Sequence, residues 1–241
     1  MRLDRALVER GLVRSRNQAQ ALIAAGEVRI DGEVATKAST PVAPDAPITV
    51  DAIPWVSRAA HKLLGALDGS GTQVGSRVLD AGASTGGFTQ VLLSRGAEVV
   101  YAVDVGHGQL SAEVRDDPRV VVREGLNLRD LTLADLDDRP VELVVGDVSF
   151  ISLTLLLAPL LGVTAPGGCA LVLVKPQFEV GREALGRGGL VTDPNLREQV
   201  LARVISDAER IGWRCDWQAP SVLPGGDGNV EYFIRLLAPT R

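Results

Sequence analysis

The feature that most constrains the fold is a series of short apolar runs that alternate with helix-like segments from residue 75 onward. These runs are rich in Val and Leu and do not alternate with polar residues, which is typical of strands buried on both faces of a parallel sheet. Strands that alternate with helices predict a doubly wound α/β fold. The runs are residues 77–80, 99–105, 120–123, 141–145 and 170–174.

Two further strands are predicted near the end of the chain, at residues 215–222 and 231–237. The sequence PGGDGN (residues 224–229) joins them. Glycine-rich connections of this kind favour a hairpin, in which the two strands are antiparallel. We therefore expect a mostly parallel, Rossmann-like sheet whose last strand is antiparallel.

A glycine-rich turn follows the first strand in the sequence VLDAGASTGGFTQVLL (residues 78–93). A strand, a glycine turn and a helix form a nucleotide-binding element, since glycine lets the backbone approach a ligand closely. The spacing is not that of pyrophosphate binders, and Asp80 at the strand end would repel a pyrophosphate. Asp104, at the end of the next strand, can accept hydrogen bonds from ribose hydroxyls. These features favour S-adenosylmethionine, with NAD as the alternative.

Four charged residues are predicted to meet at the carboxyl edge of this sheet. Asp147 and Lys175 follow the fourth and fifth strands, Glu231 begins the last strand, and Lys62 precedes the first. The chain has 22 Arg and only three Lys, so a lysine at a strand end is notable. An ammonium, unlike a guanidinium, can lose its proton when its surroundings favour the neutral form. The four groups therefore indicate proton-transfer chemistry, with a structural ion-pair network as the alternative.

The first 50 residues have a different pattern, which predicts two helices and a hairpin. Ser15 and Gln18 have the spacing of a capping box, and Gly26 is placed to end the second helix. The pair Asp31-Gly32 predicts a tight hairpin turn. The whole chain has a net charge of −5, yet residues 1–20 carry five Arg against two acidic residues. This segment is either a basic binding surface or a solvated helix face.

The segments RLDRALVERGLVRSR (residues 2–16) and ALIAAGEVRIDG (residues 21–32) resemble the S4-like RNA-binding domain. The resemblance implies that basic side chains contact RNA phosphates, which supply affinity rather than sequence readout. Four prolines between residues 41 and 54 indicate a connector. We expect an S4-like α+β domain at 1–52, a linker at 53–57 and a larger domain at 58–241. The implied RNA contacts are Arg2, Arg5, Arg14, Arg16 and Lys37.

Nearly the whole chain resembles the TlyA-type methyltransferases, in which an S4-like domain precedes an FtsJ-like catalytic domain. The matching segments are SRAAHKL, LDAGASTGGFT, VVGDVSFISL, LVLVKPQFE, GRGGLVTDP and GNVEYF. The resemblance implies S-adenosylmethionine-dependent 2′-O-methylation of ribosomal RNA in ribosomal subunits. The implied catalytic tetrad is Lys62, Asp147, Lys175 and Glu231. The expected cofactor contacts are Asp80, Gly82, Ser84, Thr85, Gly86, Gly87, Phe88, Asp104 and Asn127, and further RNA contacts are expected at Arg182 and Arg187.

One departure from the family concerns the linker. The family has an Arg-x-Trp-Val signature where this chain has Ile53-Pro54-Trp55-Val56. This difference concerns the coupling between the two domains and cofactor binding, whereas the residues implied in methyl transfer are unaffected. Methylation of base amino groups is disfavoured because Asp147 is followed by Val-Ser-Phe rather than by a Pro-Pro-Tyr-type motif.

Other functional classes have less support from the sequence. Proteins that resemble this chain are often named haemolysins, and a non-catalytic ribosome assembly factor is a further alternative. The apolar stretch at 151–163 is interrupted by Ser, Thr, Pro and Gly, and the first residues have no secretion signal. Cys169 and Cys215 lack metal-type spacing. We expect a cytoplasmic protein with reduced cysteines, no stable membrane association and no metal.

Overall fold

The computed structural model describes residues 1–13, 15–24, 26–50 and 55–240, without the side chains of residues 21 and 182. The chain forms two compact units, Met1–Arg58 and Ala59–Arg241. Each unit has its own hydrophobic core. The predicted domain boundary at 52 and the first two residues of the predicted linker at 53–57 lie outside the described residues.

The first unit consists of two helices and a small antiparallel sheet, as the sequence predicts. Apolar side chains of both helices, including Leu3, Leu7 and Ile23, are fully or almost fully buried. Asp31 and Gly32 have φ values of 52° and 84°, which confirms the tight hairpin turn. The elements are α1 (Leu3–Glu9), α2 (Arg16–Ala24), β1 (Val28–Ile30), β2 (Glu33–Val34) and β3 (Ile48–Val50). The sheet order is β2-β1-β3, and the sequence analysis missed β3.

The second unit is a seven-stranded sheet with helices, in agreement with the predicted doubly wound fold. The helices are α3 (Ala59–Ser70), α4 (Gly87–Ser94), α5 (Ala112–Arg115), α6 (Leu157–Val163), α7 (Pro176–Glu179) and α8 (Pro194–Arg210). The strands are β4 (Arg77–Ala81), β5 (Val99–Asp104), β6 (Val120–Glu124), β7 (Val141–Gly146), β8 (Thr164–Val174), β9 (Arg214–Pro220) and β10 (Tyr232–Leu237).

The strand order β6-β5-β4-β7-β8-β10-β9 positions the site. Strands β4 to β8 pair in parallel, and β10 lies between β8 and β9 and is antiparallel to both. The prediction of an antiparallel last strand is therefore confirmed. The chain leaves β4 toward β5 on one side and returns to β7 on the other. The reversal of direction opens a crevice at the carboxyl ends of β4 and β7, where ligands bind in folds of this class.

The predicted strands agree with the observed ones to within two residues, except at the start of β8. This strand begins at Thr164 rather than at residue 170, and Pro166, Gly167 and Gly168 lie inside it. The pairing of β7 with β8 shifts register between Val141 and Leu143, which accommodates this glycine-rich stretch. Across the described ranges, no helix combines the length and apolar composition needed to cross a membrane.

Candidate active site

A cavity of about 490 Å³ opens at the carboxyl ends of β4, β5 and β7. Val105, Leu126 and Ile151 give one part of its wall an apolar character. The cavity therefore combines polar groups at the strand ends with an apolar surface, as small-molecule sites commonly do. Five residues of the predicted site line it: Gly82, Ser84, Asp104, Asn127 and Asp147.

The glycine turn brings backbone to the edge of this cavity. Gly82 has φ +86°, and a methyl group added there would lie 3.0 Å from the backbone oxygen of Asp147. Asp104 holds the turn because its Oδ2 accepts a hydrogen bond from the Ser84 amide and its Oδ1 accepts one from the Gly106 amide, both at 2.8 Å. The Asp104 carboxylate is thus oriented at the cavity wall by two backbone donors.

The remaining predicted cofactor residues do not line the cavity. Gly86 is required by packing, since an added methyl group would lie 2.9 Å from both Leu110 and Val114 side-chain carbons. Phe88 is buried, and its ring stacks on Phe233 with the ring centroids 6.2 Å apart. Four of these residues are buried in or beneath the turn: Asp80, Gly86, Gly87 and Phe88. Thr85 is exposed but does not line the cavity.

Asp80 is fully buried at the end of β4. The Thr89 hydroxyl donates a 2.6 Å hydrogen bond to Asp80 Oδ2 and so links β4 to α4 on either side of the glycine turn. Within the described residues, Asp80 Oδ1 is buried without a hydrogen-bond partner. Burial raises the pKa of Asp80 to about 7, although the Thr89 hydrogen bond opposes the shift. A carboxyl group below the turn can therefore change its charge near neutral pH.

The four residues of the predicted tetrad form two ion pairs. Lys62 Nζ lies 2.6 Å from Glu231 Oε2, and these side chains are 6% and 2% exposed. Lys175 Nζ lies 2.6 Å from Asp147 Oδ1, with side chains 9% and 18% exposed. Buried pairs of this kind are costly to desolvate, so they are weak evidence for stability by themselves.

The strand registers bring the two ion pairs to the same edge of the sheet. Tyr232 of β10 is opposite Val174 of β8, so the adjoining residues Glu231 and Lys175 leave the two strands side by side. Asp147 follows Gly146, which pairs with Val172 of β8. Two ammonium groups and two carboxylates therefore lie at the carboxyl edge beside the cavity, as the sequence predicts.

Lys175 has further contacts that the sequence analysis missed. Its Nζ donates a 2.8 Å hydrogen bond to Ser149 Oγ and lies 5.9 Å from the centre of the Phe178 ring. Phe150 is 92% exposed, lines the cavity and has φ +64°, which is unusual for an aromatic residue. The sequence signal for these residues is their position directly after a strand end, in the segment DVSF (residues 147–150).

Two buried polar residues fix the segments around the tetrad. Glu179 accepts hydrogen bonds from Ser152 Oγ and from the Leu153 amide, both at 2.6 Å, and so anchors the segment after Asp147. Asn229, 3% exposed, accepts from the Val191 amide at 2.9 Å and donates to the Gly189 carbonyl at 3.1 Å. Asn229 therefore fastens the glycine-rich segment that contains Arg187 to the turn that precedes Glu231.

The predicted RNA contacts of the first unit differ in their surroundings. Arg2 and Arg16 both bind the buried Asp4 carboxylate, at 3.0 and 2.8 Å, and each remains about half exposed. Hydrogen bonds from these two guanidinium groups hold the pKa of Asp4 well below its usual range. Arg5 and Lys37 are exposed, and so is Arg187 in the second unit. Arg14 and the side chain of Arg182 lie outside the described residues.

Comparison with known proteins identifies the family. Residues 55–237 match the FtsJ-like methyltransferase family, and residues 1–48 match the S4 domain. A Mycobacterium tuberculosis protein named 16S/23S rRNA (cytidine-2′-O)-methyltransferase TlyA is 51% identical, over 99% of this chain and 90% of the relative. Hemolysin A of Brachyspira hyodysenteriae is 38% identical, over 98% of this chain and all of the relative.

A solved structure shows the same architecture. The structure of a hemolysin candidate from Streptococcus thermophilus is 36% identical and superposes with a TM-score of 0.77, covering 99% of this chain and 88% of that chain. This chain is thus similar to TlyA over almost its full length. It also has the strand order, the glycine turn and the two lysine–carboxylate pairs described above. The chain belongs to the TlyA branch of the FtsJ-like methyltransferase family.

Proposed function

We propose that this protein transfers a methyl group to the 2′-hydroxyl of a ribose in ribosomal RNA, with S-adenosylmethionine as the donor. The observation that carries the proposal is the convergence of two lysine–carboxylate pairs at one edge of the sheet, next to the cavity. The name of the Mycobacterium tuberculosis relative supports the reaction and the rRNA substrate. The S4 domain match supports an RNA partner.

The cavity has the features that S-adenosylmethionine requires. The turn at Gly82 lets the backbone approach a ligand, and Asp104 presents oriented carboxylate oxygens for ribose hydroxyls. Val105 and Leu126 offer an apolar surface for an adenine ring. When bound, the cofactor supplies a methyl group on a sulfonium whose sulfur keeps the electron pair of the broken bond. Direct contacts from Asp80 and from residues 85–88 remain predictions.

The four charged residues have two roles: Lys175 takes part in proton transfer, and the other three position the reacting groups. Lys175 is assigned as the final acceptor of the 2′-hydroxyl proton, once its ammonium has lost a proton, because Asp147 fixes the position of its Nζ at the sheet edge. Glu231 holds Lys62 in the neighbouring buried pair, so that a second positive charge faces the same edge. Much of the rate then comes from alignment of the hydroxyl, because the transition state develops no new oxyanion.

RNA binding is assigned to Arg2, Arg5, Arg14, Arg16 and Lys37 of the first unit and to Arg182 and Arg187 of the second. The proposed domains are an S4-like domain at 1–52, a linker at 53–57 and a methyltransferase domain at 58–241, in a protein that acts in the cytoplasm. Arg2 and Arg16 keep half of their surface exposed while Asp4 fixes their direction. They can therefore bind phosphates at little further cost in side-chain entropy.

The proposed function is tested by the substitution Lys175→Arg, with Arg139→Lys, at an exposed position of the second unit, as the control. We expect Lys175→Arg to keep cofactor binding and to lose methyl transfer, because a guanidinium cannot act as a proton acceptor at neutral pH. The readouts are calorimetric cofactor binding and mass spectrometry of nucleosides from treated ribosomal subunits. Wild-type activity in Lys175→Arg would remove Lys175 as the base, and absence of any 2′-O-methylated nucleoside with the wild-type protein would refute the function.

Membrane lysis is the rival that the name of the Brachyspira relative suggests. A dye-leakage assay with the purified protein and phospholipid vesicles separates the two activities. We expect no leakage at concentrations that give complete methylation.

A further inference from the structure

Other side chains lie between the cavity and the Lys175 ammonium group. Its side chain is 9% exposed, and among the described residues that line the cavity are Asp147 and Ser149 but not Lys175. Ser149 is exposed, and its Oγ lies 2.8 Å from Lys175 Nζ. A ribose hydroxyl that approaches this edge of the cavity from solvent would therefore meet the exposed Ser149 Oγ before it meets the lysine nitrogen.

The two groups in front of Lys175 differ in what they can do with a proton. The ionised carboxylate of Asp147 only accepts hydrogen bonds, whereas the hydroxyl of Ser149 donates one and accepts others at the same time. A hydroxyl can thus take a proton on one side and release its own on the other, without any change of charge. Of these two neighbours, Ser149 is the one suited to pass a proton to Lys175.

The position of Ser149 is fixed by its surroundings. The next residue, Phe150, has φ +64° and turns the chain sharply. After Phe150, the chain is held by the buried Glu179 carboxylate, which accepts hydrogen bonds from Ser152 Oγ and from the Leu153 amide. The segment is therefore held at both ends, by β7 before it and by Glu179 after it, and the Oγ–Nζ distance is set by the fold.

We infer that Ser149 is a catalytic residue that relays the 2′-hydroxyl proton to Lys175, an inference that rests on the proposed function. The bond between the 2′-oxygen and its hydrogen breaks, and that proton bonds to Ser149 Oγ. Lys175 must first release one ammonium proton to solvent, so that its Nζ accepts the hydrogen bond that it otherwise donates to Ser149 Oγ. The original Oγ–H bond then breaks as the 2′-hydroxyl proton arrives, and its proton bonds to the Nζ lone pair. The serine is regenerated, the lysine becomes an ammonium, and the 2′-oxygen keeps the electron pair that forms its bond to the methyl carbon.

The relay is tested with Ser149→Ala, with Ser149→Thr as the variant that keeps a hydroxyl and Ser94→Ala as a matched control outside the cavity. Single-turnover methylation of ribosomal subunits is measured in mixtures of H₂O and D₂O. We expect a curved dependence on the deuterium fraction for the wild type, because two protons move together. Ser149→Ala should react about 100-fold more slowly with a linear dependence, whereas Ser149→Thr and Ser94→Ala should keep the curvature.

A second readout does not depend on turnover. The rate at which an amine-reactive reagent labels Lys175, followed by mass spectrometry, should rise in Ser149→Ala and stay at the wild-type value in Ser94→Ala. Cofactor and RNA affinities should stay within about twofold in all variants. A wild-type rate in Ser149→Ala, or a linear deuterium dependence in the wild type, overturns the relay while leaving 2′-O-methylation intact. A wild-type protein that forms no 2′-O-methylated product overturns both proposals.

Discussion

Asp80 shows how one side chain beneath the glycine turn can link stability to pH. The carboxyl group is fully buried, one of its oxygens receives the Thr89 hydroxyl, and burial raises its pKa to about 7. The negative charges of Asp147 and Asp104 act in the same direction. In the unfolded chain the carboxyl has its ordinary pKa near 3.9, so the folded state binds this proton more tightly.

We expect Asp80→Asn to flatten the dependence of the free energy of unfolding on pH. For a raised folded-state pKa, the stabilising contribution is complete below about pH 4 and is lost as the pH rises through about 7. The wild type should therefore lose on the order of 3 kcal/mol between pH 5 and 8 that Asp80→Asn does not lose. Urea unfolding at several pH values measures this difference, with Asp116→Asn, at an exposed carboxyl, as the control. Parallel curves for wild type and Asp80→Asn would contradict the prediction.

At the scale of elements, the sheet could be predicted and several turns could not. Buried parallel strands consist of continuous Val- and Leu-rich runs, and their carboxyl ends meet at one edge, so the placement of Asp147 and Lys175 at that edge could be predicted from the sequence. The start of β8 was missed because Pro166-Gly167-Gly168 is typical of a turn, whereas a register shift against β7 keeps it in the sheet. Ser149 and Asn229 were missed because their roles depend on how turns fold back, which periodicity does not encode.

Asn229 gives a prediction about the segment that it fastens. We expect Asn229→Ala to increase the rate of trypsin cleavage after Arg187 about tenfold, because losing the bonds to Val191 and Gly189 favours local opening. Limited proteolysis with mass spectrometry measures the rate. Asn195→Ala, at an exposed position, is the matched control. Equal cleavage rates in the two variants would show that Asn229 does not hold this segment.

The turn before Glu231 gives a second prediction at this scale. A methyl group at Gly225 would lie 2.6 Å from Glu231 Oε1, the carboxylate that is paired with Lys62. Gly225→Ala should therefore displace the carboxylate and lower the methylation rate more than it lowers cofactor affinity. Gly226→Ala serves as the control, since an added methyl group there has no heavy atom within 4 Å among the described residues. Similar methylation rates in both variants would contradict the prediction.

At the scale of the whole molecule, the uneven charge distribution makes RNA binding a local property. Residues 1–20 carry a net charge of +3 and the rest of the chain carries −8, since the total is −5. Arg5→Gln should lower the slope of log affinity against log salt by about 0.7 to 0.9. Filter binding across a salt series measures the slope, and Arg139→Gln, an exposed arginine of the second unit, should leave it unchanged. An unaltered slope in Arg5→Gln would exclude this residue as a phosphate contact.

The ion pair between Lys62 and Glu231 joins residues separated by 169 positions in the chain. During translation, Lys62 leaves the ribosome long before Glu231 has been synthesised, and β10 must then insert between β8 and β9 to complete the pair. A nascent chain can thus carry the whole first unit while the ion pair at the edge of the large sheet is still incomplete. The order of synthesis therefore postpones the completion of this charged edge until all the other strands of the sheet have been made.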